Sequence, residues 1–151
     1  AGGQRVGEAV SNVDAVATIL ELAGVELGEW GLDGQSLVPA LNGNTSGLND
    51  IAISEHFAHG TDRAMGMVRS GNWKLCYGHS DPVDLELYDL ENDPGEFTNL
   101  ADIPEYSEIQ TRLLTILLDQ WGDPDELTAK IVRDQEGRQI IRNVTGVGTI
   151  F

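Results

Sequence analysis

An α+β fold, with a small antiparallel sheet of about four strands packed against a C-terminal helix, is predicted by three features of this sequence. Four short runs of strand character follow one another between residues 51 and 90. The links between them are too short for the crossovers that parallel strands need. A strongly periodic apolar stretch follows them, and an N-terminal helical stretch with a long turn-rich connection precedes them.

The first helix spans Ser11 to Gly24. Val13, Val16, Ile19, Leu20 and Ala23 recur at three- and four-residue steps and form one apolar face. Ser11 or Asn12 is the expected cap, accepting a backbone N–H that would otherwise lack a partner. Gly24 suits the left-handed residue that ends a helix. Residues 28–49 are rich in turn formers and read as a surface connection. Within them a turn at Asp33-Gly34 leads to a short helix from Leu37 to Leu41, which Asn42-Gly43-Asn44 ends.

Ile51–Glu55 alternates apolar with small or polar residues and is the first strand. Ala64–Arg69 and Trp73–Tyr77 flank Ser70-Gly71-Asn72, a turn of hairpin length. Leu85–Leu90 is the fourth strand. Beyond Asn92-Asp93-Pro94-Gly95 the period changes to that of a helix over Tyr106–Trp121. Ile109, Leu113, Ile116, Leu117 and Gln120 or Trp121 share one face. Gly122 stops it. Asp123 then caps another helix, with Pro124 at its first position and Glu126 at the capping-box position. Residues 143–151 read as an extended tail. Three segments result: 1–50, a helix and connection; 51–122, the sheet and its helix; and 123–151, a last helix and tail.

The formal net charge is −16. Such a surface repels phosphate backbones and argues against nucleic-acid binding. No apolar run approaches the roughly 18–20 residues of a membrane-spanning helix. Cys76 is the one cysteine of the chain. It can form no internal disulfide, and strand alternation predicts a buried, inert thiol.

Four motifs carry a resemblance. Val13-Asp14-Ala15-Val16-Ala17-Thr18 continues to Ala23-Gly24 as an aspartate–threonine helix. Asp33-Gly34-Gln35-Ser36-Leu37 has the form D-G-x-S-L. Ser54-Glu55 is followed by Arg69-Ser70-Gly71-Asn72-Trp73-Lys74-Leu75, an R-x-G-x-W-K hairpin. Leu87-Tyr88-Asp89-Leu90 runs into Asp93-Pro94-Gly95-Glu96 and Asn99-Leu100 as L-Y-D-L-x-x-D-P-x-E-x-x-N-L. Together, in this order, they resemble the C-terminal subdomain of sulfatases of the alkaline-phosphatase superfamily, over about Val10 to Trp121. Ala17 stands where the family usually has proline.

The resemblance implies that the chain is the C-terminal structural part of a sulfuric-ester hydrolase. Such a parent is expected to use a formylglycine and a calcium-like divalent cation, both held by an N-terminal catalytic domain. That domain is the implied partner, and a homo-oligomer is also expected. The formylglycine motif C/S-x-P-x-R is missing here, because Cys76 is followed by Tyr77-Gly78-His79. No metal ligand and no catalytic residue is therefore assigned to this chain, and the isolated chain is expected to be inactive. In some members the segment after the first strand lies near the active-site mouth. His56, His59 and Arg63 are accordingly the candidate substrate contacts of the parent. Two other readings stay open: a freestanding acidic binding or oligomerisation module, and part of a related phosphodiesterase or phosphonate-ester hydrolase.

Overall fold

The computed structural model of the chain describes residues 3, 5–28, 30–58 and 60–145. In chain order these form α1 (Asp14–Leu22), α2 (Val38–Leu41), β1 (Ile51–His56), β2 (Met65–Ser70), β3 (Trp73–Gly78), β4 (Asp84–Asp89), a 3-10 turn (Pro104–Tyr106), α3 (Ser107–Trp121) and α4 (Pro124–Thr145). The four strands make one sheet in the order β1-β2-β3-β4. The α+β class and all four predicted strands are thus observed, each within a residue of its expected bounds.

The chain divides into two compact units, residues 1–52 with 69–72, and residues 53–68 with 73–151. In the first, α1 departs from expectation at its start. Neither Ser11 nor Asn12 caps it, and no side chain does so from the cap position, Val13. Instead Asp14, inside the first turn, accepts the Ser11 N–H at 2.7 Å. A carboxylate at that point also lies in the favourable field of the helix N-terminus. The other end is as predicted. Gly24 has φ +78°. Its N–H and that of Val25 bond to Glu21 and Leu20 carbonyls at 2.9 and 3.0 Å, which is the Schellman arrangement.

The second unit has a layered core. Val68 of β2, Leu75 of β3, Leu87 of β4, and Leu113 and Leu117 of α3 are fully buried. In antiparallel register Leu75 faces Leu87 and Tyr77 faces Leu85. Because side chains alternate along a strand, this puts Leu75, Tyr77, Leu85 and Leu87 on the α3 side and Lys74, Cys76, Glu86 and Tyr88 on the other. Tyr88 is buried, whereas Trp73 and Ile116 are only half-buried. Trp73 opens β3 and stacks on Tyr106 at 5.7 Å, which leaves part of its ring in solvent.

The hairpin between β2 and β3 turns through Gly71 and Asn72, with φ +56° at Gly71. That conformation disfavours residues with a Cβ. Gly122 ends α3 in the same way, at φ +74°. Asp123 caps α4 as predicted, its Oδ1 accepting the N–H groups of Asp125 and Glu126 at 2.9 and 3.3 Å. The expected tail needs correction. Residues 143–145 continue the α4 ladder, with Gln139 and Asn143 joined one turn apart at 2.9 Å. Residues 146–151 lie outside the described part.

Candidate functional site

The residues of the four motifs point at one another. Asp14 is 5% exposed. Its Oδ1 accepts the Gln35 N–H at 2.9 Å while its Oδ2 holds Ser11. One turn later Thr18 accepts the Leu37 N–H at 2.9 Å and donates to the Asp14 carbonyl at 2.7 Å. The aspartate and threonine of the first motif therefore anchor the D-G-x-S-L loop of the second. Gly34 passes so close that a Cβ there would lie 2.3 Å from the Val13 carbonyl oxygen, so only glycine fits. Gln35 extends the clasp by pairing with both backbone groups of Asn49, at 2.8 and 3.1 Å.

The third and fourth motifs are joined likewise. Lys74 of β3 makes an ion pair with Glu96. Burial opposes the lysine's charge, but its hydrogen bond to Glu96 and the surrounding charges lift its pKa above the ordinary value. Asn99 acts as a further strand position beside β4. It accepts the Leu87 N–H at 3.0 Å and donates to the Leu85 carbonyl at 3.1 Å, and it also accepts the Ala101 N–H at 2.8 Å. Asp93 accepts the Thr98 N–H at 2.8 Å and closes the loop between them.

Glu55 of the Ser54-Glu55 pair accepts a hydrogen bond from the Trp121 indole at 2.7 Å. The ring packs edge-on to Phe57 at 5.5 Å and tilted against Tyr77 at 5.7 Å. It covers Gly66 so closely that a Cβ there would sit 2.5 Å from Trp121 Cζ2.

The sheet face turned away from α3 carries a cavity of about 330 Å³, whose lining includes His56, Met65, Met67, Cys76, Asp84 and Glu86. Of the predicted substrate contacts, His56 at the end of β1 borders this cavity. His59 lies outside the described residues. Arg63 does not line it. It sits in the β1–β2 loop, 3.8 Å from Asp62, with its Nε buried and lacking a hydrogen-bond partner. His56 and Arg63 are thus not brought together in the cavity.

The Cys76 thiol is half-buried on this face. Burial pushes its pKa up; Lys74 pulls it down, and Glu86, Glu96 and Asp84 add to the rise. A thiol so held is a weak nucleophile. A chain of hydrogen bonds that no local sequence pattern announces runs from Tyr77 to His79 at 2.7 Å and on to Asp125 at 2.8 Å. The pattern suits the tautomer in which His79 Nε2–H donates to the Asp125 carboxylate and Nδ1 accepts from the Tyr77 hydroxyl. The phenol is kept protonated by burial and by the Asp125 charge. This chain fastens β3 to the first turn of α4. Among the described residues, no group of three or more His, Cys, Asp or Glu gathers in a metal-binding arrangement.

A four-stranded antiparallel layer under one long helix, with its motif residues clasped together, defines the C-terminal subdomain of a sulfatase of the alkaline-phosphatase superfamily. Residues 1–122 match the family described as N-sulphoglucosamine sulphohydrolase, C-terminal, and the chain belongs to that family. It is 34% identical over 148 residues to the choline-sulfatase of Rhizobium meliloti (strain 1021), covering 93% of this chain and 28% of that protein. Among solved structures it resembles that of BT4656 in complex with its substrate D-glucosamine-2-N,6-O-disulfate, at a TM-score of 0.63 and 27% identity, over 75% of this chain and 25% of that one. It also resembles the phosphonate monoester hydrolase of Agrobacterium radiobacter, at a TM-score of 0.55 and 26% identity, over 85% of this chain and 26% of that one. The chain spans about a quarter of the length of these relatives.

Proposed function

We propose that this chain serves as the structural C-terminal subdomain of a sulfuric-ester hydrolase, with the nucleophile and the metal site supplied from outside its residues. The observation that carries this reading is the inward use of every motif. Asp14, Gln35, Lys74, Glu96 and Asn99 spend polar atoms on other motif residues or on backbone groups of the chain, and Glu55 on the Trp121 indole. Side chains so engaged hold a scaffold and are not poised for a substrate.

The formylglycine and divalent cation expected of the parent do not fit the residues present. Cys76 lacks the flanking proline and arginine of the modification motif, and burial raises its thiol pKa. Glu55 is taken up by Trp121. No step of ester hydrolysis is therefore assigned to this chain.

The proposed partner is a catalytic domain covering α1. Val13, Val16 and Ile19 are 48%, 52% and 65% exposed, and Leu22, one turn beyond, is 65% exposed. Leu20, expected on the same face, is half-buried instead. Burying one such side chain contributes ~1.5–3 kcal/mol, so the face is a strong drive to association. The resemblance to the phosphonate monoester hydrolase supports a second reading, in which the parent cleaves phosphonate or phosphate esters with the same subdomain.

The test is an assay of the purified chain with an aryl sulfate and an aryl phosphonate, with and without calcium. No turnover above background is expected. Metal-dependent hydrolysis by homogeneous chain would overturn the scaffold reading. Assaying the chain joined to a catalytic domain on both esters separates the two parents.

A further inference from the structure

Three sulfur-bearing side chains share the sheet face turned away from α3. Gly66 lies under Trp121 and Leu117, and Tyr77 stacks on Trp121. Alternation along β2 and β3 therefore sends Met65, Met67 and Cys76 to the other side. All three are half-buried and line the cavity of about 330 Å³ found there.

Their spacing follows from the register of the β2–β3 hairpin. β2 ends at Ser70 and β3 begins at Trp73. Counting back from that closing pair places Met67 opposite Cys76 and Met65 opposite Gly78. The His79 N–H, bonded to the Ala64 carbonyl at 2.9 Å, gives the same register at the open end. Hydrogen-bonded and unbonded pairs alternate along an antiparallel ladder, and the Cα atoms of unbonded pairs are only about 4.5 Å apart. Ala64 and His79 are a bonded pair, which makes Met67–Cys76 and Met65–Gly78 unbonded ones. Gly78 has no side chain to separate Met65 from its diagonal neighbour Cys76. Diagonal neighbours about 7–8 Å apart are within reach of long side chains. Methionine, with three rotatable side-chain bonds, adapts its sulfur position readily.

The surroundings favour a cation. In the β3–β4 register Cys76 faces Glu86 and Gly78 faces Asp84. Both acids line the cavity, where, among the described residues, neither lysine nor arginine does. Lys74, on the same face of β3, is paired with Glu96. The net charge of −16 adds a long-range attraction. Thiolate and thioether sulfurs are soft donors that select cations such as copper(I), whereas a calcium-like cation takes hard oxygen ligands.

We propose that Met65, Met67 and Cys76 form a three-sulfur site for the soft monovalent cation copper(I). On binding, the Cys76 S–H bond breaks, an Sγ–copper bond forms and the proton goes to solvent, as a coordinating thiol is deprotonated outright. Each thioether donates a lone pair. No electron changes hands, because the cation arrives as copper(I). Asp84 and Glu86 draw the cation in without being ligands. The site is independent of the scaffold role of the chain.

Anaerobic titration of the 151-residue chain with the copper(I)–bicinchoninate complex tests it. The wild type should take up one copper(I) per chain, and calcium should not compete. M65L/M67L keeps the side-chain volume and the thiol. It should bind about 100-fold more weakly or worse, since losing even a group behind a ligand costs about 10–100-fold. C76S should lose at least as much. Circular dichroism checks that each variant is folded. A second readout needs no variant: Met65 and Met67 are the two methionines of the chain, and both ε-methyl carbon-13 signals of the wild type should shift as copper(I) is added. An M65L/M67L chain that binds as tightly as the wild type would reduce the site to a lone thiol. That result, no uptake by the wild type, or methyl signals that stay in place would overturn the proposal.

Discussion

The Asp14 carboxylate accepts the Gln35 backbone N–H at 2.9 Å across 21 residues of sequence. This bond and its neighbour, Thr18 to Leu37, make the turn-rich connection after α1 a fixed loop. D14A leaves the Ser11 and Gln35 N–H groups without their acceptor at a buried site and should cost about 2–4 kcal/mol. T18V, which removes one acceptor and keeps the shape, should cost about 1 kcal/mol. Urea denaturation measures both; equal, near-zero losses would show that the clasp contributes nothing.

Trp121 over Gly66 sets a second limit. W121A removes a large half-buried ring that packs on Phe57 and Tyr77, and should cost about 3–5 kcal/mol. G66A forces that ring outward and should cost about 1–3 kcal/mol. If G66A left the Trp121 fluorescence and the denaturation midpoint unchanged, the close approach would be wrong.

Asn99 serves as an extra strand residue beside β4. N99A strands the Leu87 and Ala101 N–H groups and the Leu85 carbonyl, and should cost about 1–3 kcal/mol. N99D keeps the acceptor and loses only the bond to Leu85, so its loss should be smaller. Hydrogen exchange at Leu87 should speed up in N99A and much less in N99D.

Stability should fall at alkaline pH. Cys76, Tyr77 and Tyr88 have pKa values raised first of all by burial, with nearby carboxylates adding to the rise. Between its unfolded and folded values each such group holds a proton in the folded chain that the unfolded chain has released. Folding is therefore less favoured as pH rises there. The raised Lys74 acts in the same direction, since the stability it adds is complete below its unfolded value and is lost as pH passes its folded value. Denaturation midpoints should begin to decline near the ordinary thiol value of 9.0. C76S should flatten the first part of the decline. A midpoint that climbs between pH 8 and 10 would contradict the assignment.

The α1 face yields a prediction about salt dependence. Association through Val16 and Ile19 is apolar and opposed by a charge of −16. Screening that repulsion should strengthen it. Light scattering should rise with salt in the wild type and not in V16S/I19S. A wild type that remains monomeric at high protein and salt concentration would mean that the exposed face drives no association.

The sequence by itself determined the elements and the family. The strands between residues 51 and 90, the Leu113–Leu117 helix, the Gly24 and Gly122 stops and the Asp123 cap were all legible, because each follows from local period, turn chemistry or a backbone conformation that few residues tolerate. Motif order carried the family. Only the tertiary structure decided what the motif residues touch: Asp14 to Gln35, Lys74 to Glu96, Glu55 to Trp121, and Tyr77 through His79 to Asp125. The candidate contacts His56, His59 and Arg63 follow from the family resemblance of the segment after the first strand, and only the fold shows that His56 borders the cavity and Arg63 does not. The physical reason is range: helix period and turn chemistry act over three or four residues. The pairing of polar groups 20 to 70 positions apart depends on how strands register and helices pack, which the local pattern does not encode.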